Sequence, residues 1–165
     1  AEKIDCIAFP GMTANFDAAK SAALAVTMLD WKEFGREYVA EMVLMSKTLA
    51  SSLEEYNIPI FFGALGHTQS HQFAVLAEEY GGGQKASKLL RKSGFLACGI
   101  GLPVQDIEGD MNGVRFGTPE LVRWGMKAKH SNKLAELVAK ALKGHNVSDQ
   151  VSKWRKTFNK IHFVN

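Results

Sequence analysis

An α+β fold is predicted for this chain, a small sheet with helices on one face, and three features carry that expectation. Helical and strand-like patterns alternate without the long, regular strand–helix repeat of a parallel sheet. Apolar Phe34, Tyr38, Met42, Met45, Leu49 and Leu53 recur at helical spacing, with Lys32, Glu33, Arg36, Glu37 and Lys47 on the opposite face. Short apolar runs, such as His71 to Leu76 and Val114-Arg115-Phe116, are punctuated by glycine and have the length of strands.

Taken in order, Ile4 to Phe9 reads as a short extended piece ended by Pro10-Gly11. An alanine-rich helix follows, from about Asn15 or Asp17 to Asp30, and its small residues imply close packing against another surface. A second, longer helix runs from Trp31 to Tyr56, its methionine stripe reading as core. Asn57-Ile58-Pro59 ends it, and Ile60-Phe61-Phe62 is expected as a strand. Residues 63–70 form a loop before the His71–Leu76 strand, and Gly81-Gly82-Gly83 precedes a helix from about Gln84 to Ser93. Phe95 to Cys98 is expected as a third strand, followed by a loop through Gly99, Gly101 and Pro103 to Gly109, and Val114 to Phe116 as a fourth. Helices are expected at about Glu120–Gly125, Asn132–Lys143 and Ser148–Lys160, before a short Ile161–Val164 tail.

The 165 residues suffice for one domain, or a domain with an attached segment, with a sizeable core. A formal charge of +3, dispersed along the chain, gives no reason to expect a nucleic-acid partner. Cys6 and Cys98 have neither paired spacing nor a metal pattern, which suits a reducing compartment, most simply the cytoplasm. No apolar run reaches transmembrane length and the first residues do not read as a signal peptide, so no membrane role is expected. Lacking an initiating methionine, the chain is expected to be a processed product or a piece of something longer.

The run Asn112-Gly113-Val114-Arg115-Phe116-Gly117-Thr118-Pro119-Glu120 carries the most chemistry. Alternation places Arg115 on the face opposite Val114 and Phe116, and Thr118-Pro119-Glu120 reads as a helix start: hydroxyl N-cap, proline at N1, acid in the first turn. A guanidinium there suits two-point capture of a carboxylate or phosphate; a surface salt bridge is the plainer alternative. Pro10-Gly11-Met12-Thr13-Ala14-Asn15, before a helix start, is a second possible anion site. Other features read as structure. Gly81 to Ser87 lacks the spacing of a phosphate loop, and His67 and His71 do not share a helix on which to hold a metal. Lys153, Arg155, Lys156 and Lys160 with Trp154 and Phe158 read as a solvated helix face with its aromatics packed inward.

The Val-Arg-Phe-Gly-Thr-Pro run, with the later Arg-Trp-Gly, resembles the (I/L)-R-(L/V)-G-T-P block of serine hydroxymethyltransferases, which are pyridoxal-phosphate enzymes. Phe9-Pro10-Gly11 resembles that family's F-P-G segment, Ser70-His71 its strand start, Gly83-Gln84-Lys85-Ala86 its helix start, and Ala97 to Pro103 its loop before the arginine block. The order and spacing of these motifs carry the resemblance over the whole chain. It implies a C-terminal part: residues 32–165 as the small domain of a fold-type-I enzyme, a small antiparallel sheet covered by helices. Residues 1–31, with a linking helix, would belong to the pyridoxal-phosphate-binding large domain.

By the same resemblance Arg115 binds the α-carboxylate of the amino-acid substrate, and Gly11, Thr13 and Ala14 stand where glycines lend N–H groups to the phosphate of a neighbouring subunit's cofactor. A homodimer is implied. The family's Schiff-base lysine lies upstream of F-P-G, so no catalytic residue is expected in this chain. The complete protein, with its N-terminal cofactor-binding part, is expected to be a transferase- or aldolase-like enzyme of amino-acid and one-carbon metabolism, making or breaking a Cα–Cβ bond. Gly99 and Gly101 replace the family's folate-contacting asparagines, which weighs against tetrahydrofolate. A β-hydroxy amino acid aldolase, an aminotransferase or a β-lyase of the same fold stays open, as does a non-catalytic assembly module.

Overall fold

The computed structural model describes residues 1–12 and 17–165. Glu2–Cys6 is a short helix, α1, and Ile7–Met12 continues it as a π-type turn broken by an extended Phe9 (φ −146°, ψ 128°). An extended piece was expected here. Residues 2–9 are exposed with no described strand beside them, so their N–H groups turn to local carbonyls, as Asp5 N does to Ala1 O at 3.0 Å.

Ala18–Glu55 is one continuous helix of 38 residues, α2, where the sequence suggested two. No proline interrupts it, and nothing at Asp30-Trp31 breaks the hydrogen-bond ladder. Asp17 caps it as expected, accepting from Ala19 N at 3.1 Å. At 1.5 Å per residue the helix is roughly 57 Å long. Its halves differ in burial. Leu24, Val26, Met28 and Leu29 are exposed, whereas Tyr38, Met42, Met45, Leu49 and Leu53 lie in the core, each full burial contributing about 1.5–3 kcal/mol.

The sheet has three strands in the order β1-β3-β2, both pairings antiparallel. β1 is Gln72–Leu76, β2 is Cys98–Ile100 and β3 is Gly113–Gly117. Val75 and Val114 face inward together, and the paired Phe73 and Phe116 stack with ring centroids 5.5 Å apart. The expected strand at Ile60–Phe62 is reduced to one bridge, Ile60 to Val75, because Phe62 turns left-handed (φ 55°). The expected strand at Phe95–Cys98 starts only at Cys98. Phe95 instead closes the preceding helix, its N–H donating to Leu90 O at 3.0 Å around a left-handed Gly94.

Gly83–Lys92 is α3, and its first turn lies directly on the sheet. A Cβ on Gly83 would stand 2.1 Å from Gly113 O and 3.1 Å from Gly99 Cα. Gly83, Gly99 and Gly113 therefore meet backbone to backbone. Pro119–Arg123 (α4), Ser131–Leu142 (α5) and Ser148–Arg155 (α6) complete the helical layer, α5 packing on α2 and α3. α6 stops short of the expected Lys160, as Thr157 Oγ1 turns back to Trp154 O at 2.7 Å.

Candidate functional site

Arg115 is the centre of β3, and its neighbours in register are Ala74 on β1 and Cys98 on β2. Val114 and Phe116 point into the core; Arg115 is exposed on the other face. Among the described residues no hydrogen bond or ion pair engages its guanidinium. The plainer reading, a surface salt bridge, thus has no carboxylate to support it. Small flanking residues leave the fork open to an anion.

The turn behind Arg115 is pinned. Thr118 was expected to cap α4 with its hydroxyl, yet it makes no such bond. It is fully buried, its Oγ1 2.8 Å from Met42 O and 3.0 Å from His71 O, and its N–H donates to His71 O at 3.0 Å. Tyr38 Oη donates to Pro119 O at 2.9 Å. Gly117-Thr118-Pro119 is therefore clamped to α2 and to His71, the residue that leads into β1. Sequence reading missed Tyr38, because its partner is 81 positions away.

Asp110 and Asn112 were also missed. Asp110 accepts from Gln84 N at 2.8 Å, Lys85 N at 3.2 Å and Met111 N at 2.6 Å. The N–H donors of Gln84 foremost, with those of Met111 and Lys85 and the Lys85 charge, hold its carboxyl below the usual range against a smaller effect of burial. The chain's own carboxylate thus occupies the helix start that superficially suggested a phosphate loop. Buried Asn112 accepts from Leu102 N at 2.6 Å and donates to the carbonyls of Leu102, Val104 and Gln105, fixing the loop between β2 and β3. A Cβ on Gly99 would stand 3.0 Å from Gln84 N and Gly83 C, a tight contact with α3, whereas Gly101 meets nothing within 4 Å.

Gly11 is exposed in the turn, and a Cβ there would stand 2.8 Å from Cys6 O; Thr13 and Ala14 lie outside the described residues. His67 pairs with Glu54 at 2.6 Å, and His71 sits immediately before β1 with Ser70 Oγ 3.5 Å from its Nδ1. Among the described residues, no group of three or more His, Cys, Asp or Glu gathers as for a metal. Arg155 lies 4.3 Å over the Trp124 ring and Lys133 4.7 Å over that of Trp154, which packs against the core with Phe158. An apolar cavity of about 360 Å³, lined by Leu49, Phe95, Phe116, Leu121 and Trp154 among others, opens on the helix side of β3, away from Arg115. No described helix is long and apolar enough to cross a membrane.

No protein-family profile matches the chain. Alpha-methylserine aldolase from a Ralstonia species is 52% identical over 99% of this chain and 38% of its own length. Serine hydroxymethyltransferase from Pyrobaculum aerophilum is 34% identical over 94% of the chain and 37% of its own. This is a serine hydroxymethyltransferase-like chain. It fits the C-terminal part of such a protein, spanning 38% and 37% of these two relatives. The crystal structure of L-threonine transaldolase from Pseudomonas fluorescens superposes with a TM-score of 0.80, at 26% identity, over 94% of this chain and 36% of that one. The small antiparallel sheet under its helices is the small-domain fold of fold-type-I pyridoxal-phosphate enzymes.

Proposed function

We propose that the serine hydroxymethyltransferase-like chain supplies the carboxylate-binding arginine of a pyridoxal-phosphate enzyme that cleaves or forms the Cα–Cβ bond of a serine-type β-hydroxy amino acid. The open guanidinium of Arg115, at the centre of a strand whose C-terminal end is clamped to α2, carries this reading. Two parallel N–H···O bonds from its fork would hold the α-carboxylate, fixing the direction of the neighbouring Cα–Cβ bond.

The residues beside Arg115 suit a carboxylate and include no lysine: Ala74 and Cys98 flank it in register. Pyridoxal phosphate, when bound by the complete protein, supplies the sink for the electron pair released at Cα. In cleavage of α-methylserine the hydroxyl loses its proton, formaldehyde departs with the Cβ carbon, and Cα gains a proton to leave alanine. The complete protein would consist of residues 1–31 with an upstream cofactor-binding domain, the small domain of residues 32–165 and a second subunit. Gly11, Thr13 and Ala14 would lie toward that subunit's cofactor phosphate. The amino-acid and one-carbon role and the cytoplasmic location belong to the same proposal.

An aldolase that needs no tetrahydrofolate is favoured over a folate-dependent transferase, because the glycine at 99, where a Cβ would stand 3.0 Å from Gln84 N and Gly83 C, presents no side-chain amide to a folate. The complete protein, loaded with pyridoxal phosphate, should release formaldehyde from α-methylserine without added folate. Turnover of L-serine only with tetrahydrofolate would favour the transferase. Activity confined to keto-acid acceptors would favour an aminotransferase instead.

A further inference from the structure

We propose that Tyr38 is a positioning residue for Arg115, held in that role by the segment 161–165. This rests on the reading of Arg115 as the carboxylate-binding residue. Tyr38 is 6% exposed, and its hydroxyl donates to Pro119 O at 2.9 Å. One turn further along α2, Met42 O accepts from the Thr118 hydroxyl at 2.8 Å. The two bonds grip consecutive residues directly after β3 ends at Gly117, two positions beyond Arg115. A small tilt of that strand end is magnified at the tip of a long side chain, where the fork must meet two carboxylate oxygens together.

Of the two rungs, only the Tyr38 one is built on a side chain of α2, and segment 161–165 sets that side chain. The Phe163 ring stacks on Tyr38 at 5.0 Å and 23°, and the Arg123 guanidinium lies 4.8 Å over the same ring. Trp31 closes a further side at 5.5 Å. The segment is fixed along its length. His162 N donates to Arg123 O at 2.8 Å, and Arg123 Nη1 donates to Phe163 O at 2.9 Å. Asn165 N and Nδ2 both donate to Asp30 Oδ1 at 3.0 Å. The segment therefore ties α4 to α2 two turns before Tyr38 and holds the ring whose hydroxyl steadies the turn behind Arg115. Buried in the helical layer, Tyr38 acts through Pro119 and not on a ligand.

The test is a double-mutant cycle in the complete protein loaded with pyridoxal phosphate, with α-methylserine as the probe. Tyr38→Phe keeps the packed ring and removes only the hydroxyl. It should raise KM about threefold to tenfold with kcat little changed, and should speed hydrogen exchange at residues 115–118. In an Arg115→Lys background the same change should add nothing, because a displaced fork costs nothing once the fork is gone. Phe163→Leu should reproduce the effect and Phe163→Tyr should restore the stack, giving a second route if Tyr38→Phe folds poorly. An unchanged KM in Tyr38→Phe, or an equal further rise in the Arg115→Lys background, overturns the positioning role while leaving Arg115 its own function. An unchanged KM in Arg115→Lys alone overturns both.

Discussion

The Thr118 hydroxyl lies 2.8 Å from the Met42 carbonyl, so the residue that follows the arginine strand is bonded to the middle of the longest helix. A threonine read as a helix cap is thereby a clamp between layers. Thr118→Val keeps the shape and removes the hydroxyl from a fully buried site. We expect a loss of about 1–3 kcal/mol in urea unfolding, with Thr118→Ser retaining most of the stability. Equal stability of the Val variant would show the bond to be dispensable.

Gly83 has no room for even a methyl group, since its Cβ would stand 2.1 Å from Gly113 O. Gly83→Ala must push α3 off the sheet and should cost about 1–3 kcal/mol or more. Gly101→Ala, at a position meeting nothing within 4 Å, serves as the neutral control in the same melts.

Asp110 should set part of the acid stability. Its folded carboxyl titrates below the unfolded one, chiefly through the Gln84 N–H donor. The folded state therefore binds fewer protons, so this contribution is full above the unfolded carboxylate pKa and fades as pH falls through the lowered folded value. Asp110→Asn should lower the unfolding midpoint at pH 7 and flatten its decline in acid. A parallel decline in both proteins would show that the carboxylate makes no such contribution.

Cys98 offers a steric probe of the arginine face. It is exposed and in register with Arg115 on the adjacent strand. With Cys6, also exposed, replaced by serine, a bulky maleimide on Cys98 should weaken amino-acid binding at least tenfold and leave the fold intact. Undiminished binding by the adduct would place the ligand elsewhere.

Much of the layout was legible because it rests on local chemistry. The period of Phe34 to Leu53 marked the buried half of α2, and alternation at Val114 to Phe116 turned Arg115 outward. What escaped depends on distant partners. Asp30-Trp31 looked like a junction because the alanine-rich pattern gives way there to the Phe34–Leu53 stripe, yet the backbone has no reason to stop. Phe95 has strand character by type but is recruited to the end of α3 by Leu90 O. Within the site, Arg115 was visible as a residue and a motif, whereas its supports Tyr38 and Asn112 were not. Their partners, Pro119 and the carbonyls of residues 102–105, are set only when the layers meet.

The role of Arg115 is tested by Arg115→Lys in the complete protein, loaded with pyridoxal phosphate and assayed with α-methylserine. The lysine keeps the charge and loses the fork. KM should rise about tenfold or more, with cofactor binding and the unfolding midpoint unchanged. Unaltered KM and kcat would leave the open guanidinium of β3 without a substrate to hold and overturn its carboxylate-binding role.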